Sequence, residues 1–475
     1  MKTKLIKNLS ANTLQLIINQ LSGLVIFYIL SISLDKTSFG EINLVLALML
    51  ASFSILAFGI EQVSVRKIAA GEDRQLVLSL YIIHVLITGV LFYGLLLLGK
   101  LVFSSYISYY NIVLLIGIGK TAVHFTMPFK QAAVGMERFR LLARMSVVTN
   151  LTRAFALIVL AFFHQVGLYT VIAVFVCGDI LELLTGFYFF KQETGLPTTL
   201  KWNGKAYAAL LKESLPQLGV VVITSALARF DWIFIGLFVS AVKLAEYSFA
   251  YKVFELSTLP LLAIAPILIP WFTRLFKNGE PGIENLKLLG RVEMIIASFT
   301  VLMLNICWTP VIGPLTHGKY GAVNEHTILI LSLCIPLQYL CNLLWTMYFA
   351  KGQLKLILTA FIITFSVNIL GDIVLIPLYK NEGAAIACLA GFAVQMTFYF
   401  RRNKTRALNK VIYNLVICVG CACGSFFAAK MLFVDALPLI AFSVVAFILL
   451  MFITTQVGLK DWKNLKGVLN SQSKQ

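Results

Sequence analysis

Residues 76–99 read LVLSLYIIHVLITGVLFYGLLLLG, with Arg74 just before the run and Lys100 just after it. At a rise of about 1.5 Å per residue, a helix of this length crosses a hydrocarbon layer about 30 Å thick. Strands are usually about half as long, and a half-buried one would alternate apolar with polar side chains. Working outward, apolar runs bounded by charge recur at 11–33, 42–60, 111–129, 145–163, 169–190, 214–239, 247–271, 294–313, 326–350, 356–378, 384–400, 411–429 and 437–457. With 76–99 this makes fourteen spans. The short alternating segments of an outer-membrane barrel are missing, so the expected fold is an all-α integral membrane protein with fourteen transmembrane helices.

Composition leads to the same place. The 475 residues are 59% hydrophobic and only 13% charged, against about 25% charged in soluble domains. Soluble, disordered, collagenous and disulfide-scaffold classes are excluded. All eight cysteines lie within apolar stretches and read as small core residues. In a soluble chain, 39 Lys and Arg against 21 Asp and Glu would suggest nucleic acid, but in a membrane chain their location decides. With fourteen spans, the loops on the side of the termini hold 29 Lys and Arg, including Arg138, Arg140, Arg144 and the run Arg401, Arg402, Lys404, Arg406, Lys410. The opposite loops hold six: Lys36, Lys100, Lys243, Lys319, Lys380 and Lys430. The positive-inside rule then makes both termini cytoplasmic. The basic excess is topology plus attraction to anionic lipid headgroups, and no nucleic-acid partner is expected. The N-terminal run has a basic start but no small-residue cleavage site before Asp35, so it is expected to be a first span. Outer loops are about a dozen residues at most, which leaves chemistry to the spaces between helices.

An internal repeat is visible. Gly135, Asn150 and Gly167 are echoed by Gly352, Asn368 and Gly383, six helices later. Both halves then share one orientation, the parallel kind of repeat that places a cavity between two lobes.

The stretch Ser366, Val367, Asn368, Ile369, Leu370, then Leu375, Ile376, Pro377, Leu378, Tyr379, then Gly383, Ala384, Ala385 resembles the signature of the polysaccharide transporters, the O-antigen and exopolysaccharide flippases. Leu215 with Pro216, and Arg229, Phe230, Asp231, resemble that family too. The departures are Asp372, where a second Asn is common, and Lys380, Asn381, Glu382 in place of a Gly followed by apolar residues. The resemblance covers nearly the whole chain. It implies a V-shaped alternating-access transporter with an N-terminal lobe at 1–207, a C-terminal lobe at 208–404, and two further helices and a tail at 405–475. It also implies a polyprenyl-pyrophosphate-linked oligosaccharide as substrate, and a polysaccharide polymerase and chain-length proteins as partners in the bacterial inner membrane.

Charges within spans cost roughly 3 kcal/mol each at the membrane centre, so those present need a reason. The cations are Lys120, Arg153, Arg229 and Lys252; the acids are Asp179, Glu182, Asp231, Glu255 and Asp372. Lys120 and His124 share a helix face, as do Lys252 and Glu255. Arg153 has no acid three or four residues away, so its partner must come from another helix, water or substrate. The four cations read either as the lining of a cationic cavity or as members of structural pairs. A cationic cavity suits pyrophosphate, since guanidinium offers bidentate contacts and Lys a point charge. The acids are candidates for proton or ion coupling, Asp231 first, then Glu255, Asp179 and Asp372. No phosphate-binding Gly-rich loop for ATP is present, and neither a cofactor nor a metal is expected. Pro216, Pro260, Pro266, Pro270 and Pro336 permit helix bends.

The expected function is translocation of an undecaprenyl-pyrophosphate-linked oligosaccharide, such as an O-antigen unit of lipopolysaccharide, by ion-coupled alternating access. The alternative within the same fold is a multidrug or cation antiporter, which the intramembrane cations disfavour. A membrane glycosyltransferase or polymerase would need a larger outer segment, so no enzyme is expected.

Overall fold

A computed structural model describes residues 2–196, 199–261, 268, 272, 283–402 and 407–457. Among them, all regular structure is helical. Among the described residues eleven helices are long and apolar enough to cross a membrane, and Ile18–Ser33 adds a shorter apolar segment. The chain is a multi-pass membrane protein. Side chains that water would reject lie open on the surface, such as Leu91, Leu95, Leu98 and Leu101 along one helix, as expected for a lipid-facing exterior.

The chain divides into two compact units, Met1–Ala245 and Glu246–Gln475. The first contains α1 (Lys2–Ser33), α2 (Lys36–Leu56), α3 (Ile60–Ala69), α4 (Arg74–Phe103), α5 (Tyr110–Gly135), α6 (Phe139–Phe162), α7 (Leu168–Thr194) and α8 (Gly204–Phe238). The helix α9 (Ala241–Ser257) runs across the division. Polar residues in the loops start these helices. Asp35 accepts a hydrogen bond from Ser38 N, Asp73 from Gln75 N and Leu76 N, and Asn203 from Ala206 N, satisfying donors that helix starts leave open.

Within this unit α5 packs on α7 and α4, α6 on α1 and α7, and α8 on α2 and α3. One core cluster joins Ile68, Leu78, Phe129, Ala133, Met145 and Phe190. The expected span at 42–60 is shorter than one continuous helix would make it. Phe58 and Gly59 both take positive φ, 53° and 70°, and the chain turns into α3. A Cβ at Gly59 would stand 2.6 Å from Leu218 N of α8, so both the backbone angle and the close approach require glycine.

The second unit contains α10 (Ile283–Cys307), α11 (Glu325–Ala350), α12 (Leu354–Arg402), α13 (Ala407–Leu432) and α14 (Ala436–Ile453). Here α10 packs on α11 and α13, α11 on α12, and α13 on α14. Phe249 stacks on Tyr320 with centroids 4.3 Å apart, and Trp308 Nε1 donates to Gly321 O at 2.9 Å. The 49 residues of α12 are interrupted at Lys380 (φ 53°, ψ −123°), between the expected spans 356–378 and 384–400. Just beyond the break, a Cβ at Gly383 would collide with the carbonyl of Leu375, so the chain doubles back tightly there. The expected span at 247–271 lies partly outside the described residues, and so do Pro266 and Pro270.

Candidate functional site

Three helices of the first unit converge on a buried group of opposite charges. Helix α7 supplies the acids. Asp179 and Glu182 are three residues apart and so share a face; they are 1% and 6% exposed. Helix α5 brings Lys120, whose Nζ stands 3.0 Å from Asp179 Oδ2, and Lys130, which pairs with Glu182. Helix α6 brings Arg153 between them. Its Nη2 pairs with Asp179 and lies 3.4 Å from Glu182 Oε2.

Two glycines make this convergence possible. A Cβ at Gly119 of α5 would stand 2.5 Å from Asp179 Oδ2, and one at Gly178 of α7 would collide with the Arg153 side chain. Each charged group thus lies in a notch on the neighbouring helix. The guanidinium is held from its own helix too: Arg153 Nη1 donates to Asn150 Oδ1 at 3.3 Å, and Asn150 Nδ2 donates to Asn19 Oδ1 of α1 at 3.0 Å. Asn150, the repeat's polar mark, therefore ties Arg153 to α1.

Three cations face two carboxylates, leaving one positive charge in excess. Neutralisation within the cluster answers the cost of these charges in the membrane. The side chain of Lys120 is still 25% exposed and those of Lys130 and Arg153 are 14% and 12% exposed. An arriving phosphate oxygen could therefore compete with a carboxylate for them, since both groups present anionic oxygens that accept paired hydrogen bonds from guanidinium.

Other expected residues lie apart from this cluster along the chain. His124, a turn from Lys120, is hydrogen-bonded through Nε2 to Thr88 Oγ1 of α4 at 3.1 Å. Arg229 and Asp231 stand on α8: the guanidinium lies over the Trp232 ring, 4.4 Å from its centroid, and Asp231 accepts from Trp232 N at 2.9 Å. In the second unit Lys252 and Glu255 form the expected pair at 2.8 Å, and Asp372 is fully buried. Lys130 is a residue that sequence reasoning missed. The apolar run ends at Phe129, which puts Lys130 in the loop that follows, whereas α5 continues to Gly135.

A family model described as polysaccharide biosynthesis protein matches residues 5–276, more than half of the chain and all of the cluster. The chain belongs to that family. The chain is also similar in fold to the lipid II flippase MurJ in an inward closed conformation, with a TM-score of 0.74 and 13% identity over 93% of this chain and 98% of that one. It is similar to the Vibrio cholerae MATE transporter VcmN as its D35N mutant (TM-score 0.55, 13% identity, 87% and 97% covered). A MOP-superfamily transporter from Pyrococcus furiosus, described by the reverse polarity of its binding pocket, is similar at a TM-score of 0.55 and 13% identity (89% and 96% covered). No curated protein matches in sequence. These three solved structures are of a flippase and of transporters.

Proposed function

We propose that this protein is a flippase that moves an undecaprenyl-pyrophosphate-linked oligosaccharide, an O-antigen or other surface-polysaccharide repeat unit, across the bacterial inner membrane by ion-coupled alternating access. The observation that carries the reading is the α5–α6–α7 cluster, in which three cations share two carboxylates. A pyrophosphate brings the anionic charge that the excess cation lacks. As it binds, Lys120 and Arg153 exchange a carboxylate for phosphate oxygens, and Asp179 is released to take a proton or a cation. Binding and coupling then become one event at one site. Arg229 and Lys252 are proposed as further cationic contacts, with Asp231, Glu255 and Asp372 as further coupling groups.

The same reading takes fourteen helices with both termini cytoplasmic, lobes at 1–207 and 208–404, and a final pair of helices with the tail at 405–475. It also takes a polymerase and chain-length proteins as partners. The break at Lys380 supports the count by dividing α12 between two expected spans. The family description, polysaccharide biosynthesis, supports a saccharide-bearing substrate over a drug.

A multidrug or cation antiporter is the second reading, favoured by the contact that each of the cluster's cations makes with an acid. The deciding experiment is extraction of lipid-linked oligosaccharides from cells depleted of the protein, with surface glycan measured in the same cells. Accumulated intermediate with lost surface glycan is expected, and mass spectrometry of it identifies the sugar. Unchanged lipid pools alongside altered dye efflux would replace the flippase with the antiporter.

A further inference from the structure

Glu293 of the second unit is a buried acid of a different kind from those of the cluster. It stands on α10 within the membrane-spanning segment Lys287–Leu315 and is 1% exposed. Asp179 and Glu182 each meet two cations. Neither carboxylate oxygen of Glu293 has a hydrogen-bond partner among the described residues.

The carboxyl is closed off from solvent, and the side chains packed against the turn before it are apolar. Gly290 and Ala297, three residues before and four after, share its helix face, and both are small. A Cβ at Gly290 would stand 2.9 Å from the Val411 side chain of α13 and 3.5 Å from that of Leu343 of α11, so α11 and α13 cover this face. From α11, Tyr339 is the titratable group that faces Glu293, within electrostatic range of it. The phenol is fully buried and, among the described residues, has no hydrogen-bond partner. On α13 the nearby titratable group is Cys418, beside Arg291; Arg291 is two residues from Glu293 and so on a different face of α10. Helix α14 carries no ionisable side chain.

Such a pocket fits one ligand. An isolated carboxylate in apolar surroundings is far costlier than the neutral acid. Hard metal cations take about six or more oxygen ligands, and one carboxyl with one phenol falls well short. A proton needs neither charge nor coordination shell. We propose that Glu293 is a proton-binding site of the second unit, protonated in this packing and ionised when α10 parts from α11 or α13 and water reaches the carboxyl. The acid would keep its proton through one state of the transport cycle and release it in another. That coupling role rests on the transport reading above; proton binding itself does not.

Infrared spectra of the purified full-length protein, recorded against pH in H2O and D2O, test the binding. The wild type is expected to show a protonated-carboxyl C=O band at neutral pH that Glu293→Gln lacks and that Tyr339→Phe shifts. Absence of that band in the wild type, or its persistence in Glu293→Gln, would overturn the proposal, and a substrate is not needed for either result. In proteoliposomes, a transmembrane pH gradient should speed flipping by the wild type several-fold and leave Glu293→Gln unaffected. Equal acceleration of both would remove Glu293 from coupling. Absence of wild-type flipping under every gradient would instead strike at the flippase reading and leave the infrared result standing.

Discussion

Asp179 rests directly on Gly119: a side-chain carbon at position 119 would stand 2.5 Å from the carboxylate oxygen Oδ2, the same oxygen that lies 3.0 Å from Lys120 Nζ. The gap left by glycine on α5 is therefore what admits the acid of α7. Replacing a mid-helix Gly by Ala ordinarily stabilises by up to about 1 kcal/mol, whereas overpacking costs about 1–3 kcal/mol. Here the displaced group is a buried charge held by two cations, so the cost prevails. Gly119→Ala and Gly178→Ala should both lower the thermal midpoint of the detergent-purified protein. A rise in midpoint for either would show that its neighbour does not depend on the notch.

Arg153 and Asp179 should be strongly non-additive. Removing one member of a buried pair leaves a charge without compensation and costs about 3–5 kcal/mol, while replacing both is often near neutral. Arg153→Met alone and Asp179→Leu alone should each destabilise, and the double variant should recover much of the loss. Transport should follow a different pattern, lost in all three, because Arg153→Met removes a proposed phosphate contact and Asp179→Leu removes the proposed coupling group. Recovery of transport together with stability would make the pair purely structural.

Part of this site is legible in the amino-acid sequence. Arg153 has no acid at helical spacing on its own helix, and a cation in a span needs a partner, so the sequence points to another helix, water or substrate; in the structure Asp179 and Glu182 of α7 provide it. The pair Lys252 and Glu255 was readable from spacing alone. Lys130 and Glu293 escaped for a common reason. Hydropathy marks where apolar residues stop, and both stand at such limits, next to runs ending at 129 and beginning at 294. The helices themselves extend beyond, α5 to Gly135 and α10 back to Ile283, and carry these charges into packed surroundings. The turn at Phe58 and Gly59 was hidden similarly, because an apolar run continues across it. Helix-to-helix approach at a glycine is a tertiary fact, and a single sequence does not report which neighbour will come close.

The Lys130 pairing with Glu182 gives a prediction that the loop assignment would not. A cytoplasmic loop lysine is replaceable within about 0.5 kcal/mol. Lys130, 14% exposed against a carboxylate that is 8% exposed, should behave as a buried pair. Lys130→Met should lower stability by more than about 1 kcal/mol, and the added change Glu182→Gln should restore part of it. Urea or thermal melts of the two variants in detergent check this. An unaltered midpoint for Lys130→Met would return Lys130 to the loop class.

Lys252 and Glu255 offer the opposite contrast, because their pair separates structural from functional cost. They stand three apart on α9, with the lysine side chain 18% and the glutamate 36% exposed. A pair of this geometry contributes about 0.2–0.5 kcal/mol, less where solvent screens it. Lys252→Met should therefore leave the thermal midpoint nearly unmoved and the protein inserted at its normal level. If Lys252 also meets substrate phosphate, the same variant should lose most transport, and Lys252→Arg, which keeps the charge, should recover it in part. Transport by Lys252→Met at the wild-type rate, at equal protein level, would confine Lys252 to its helix pair and leave phosphate contact to Lys120 and Arg153.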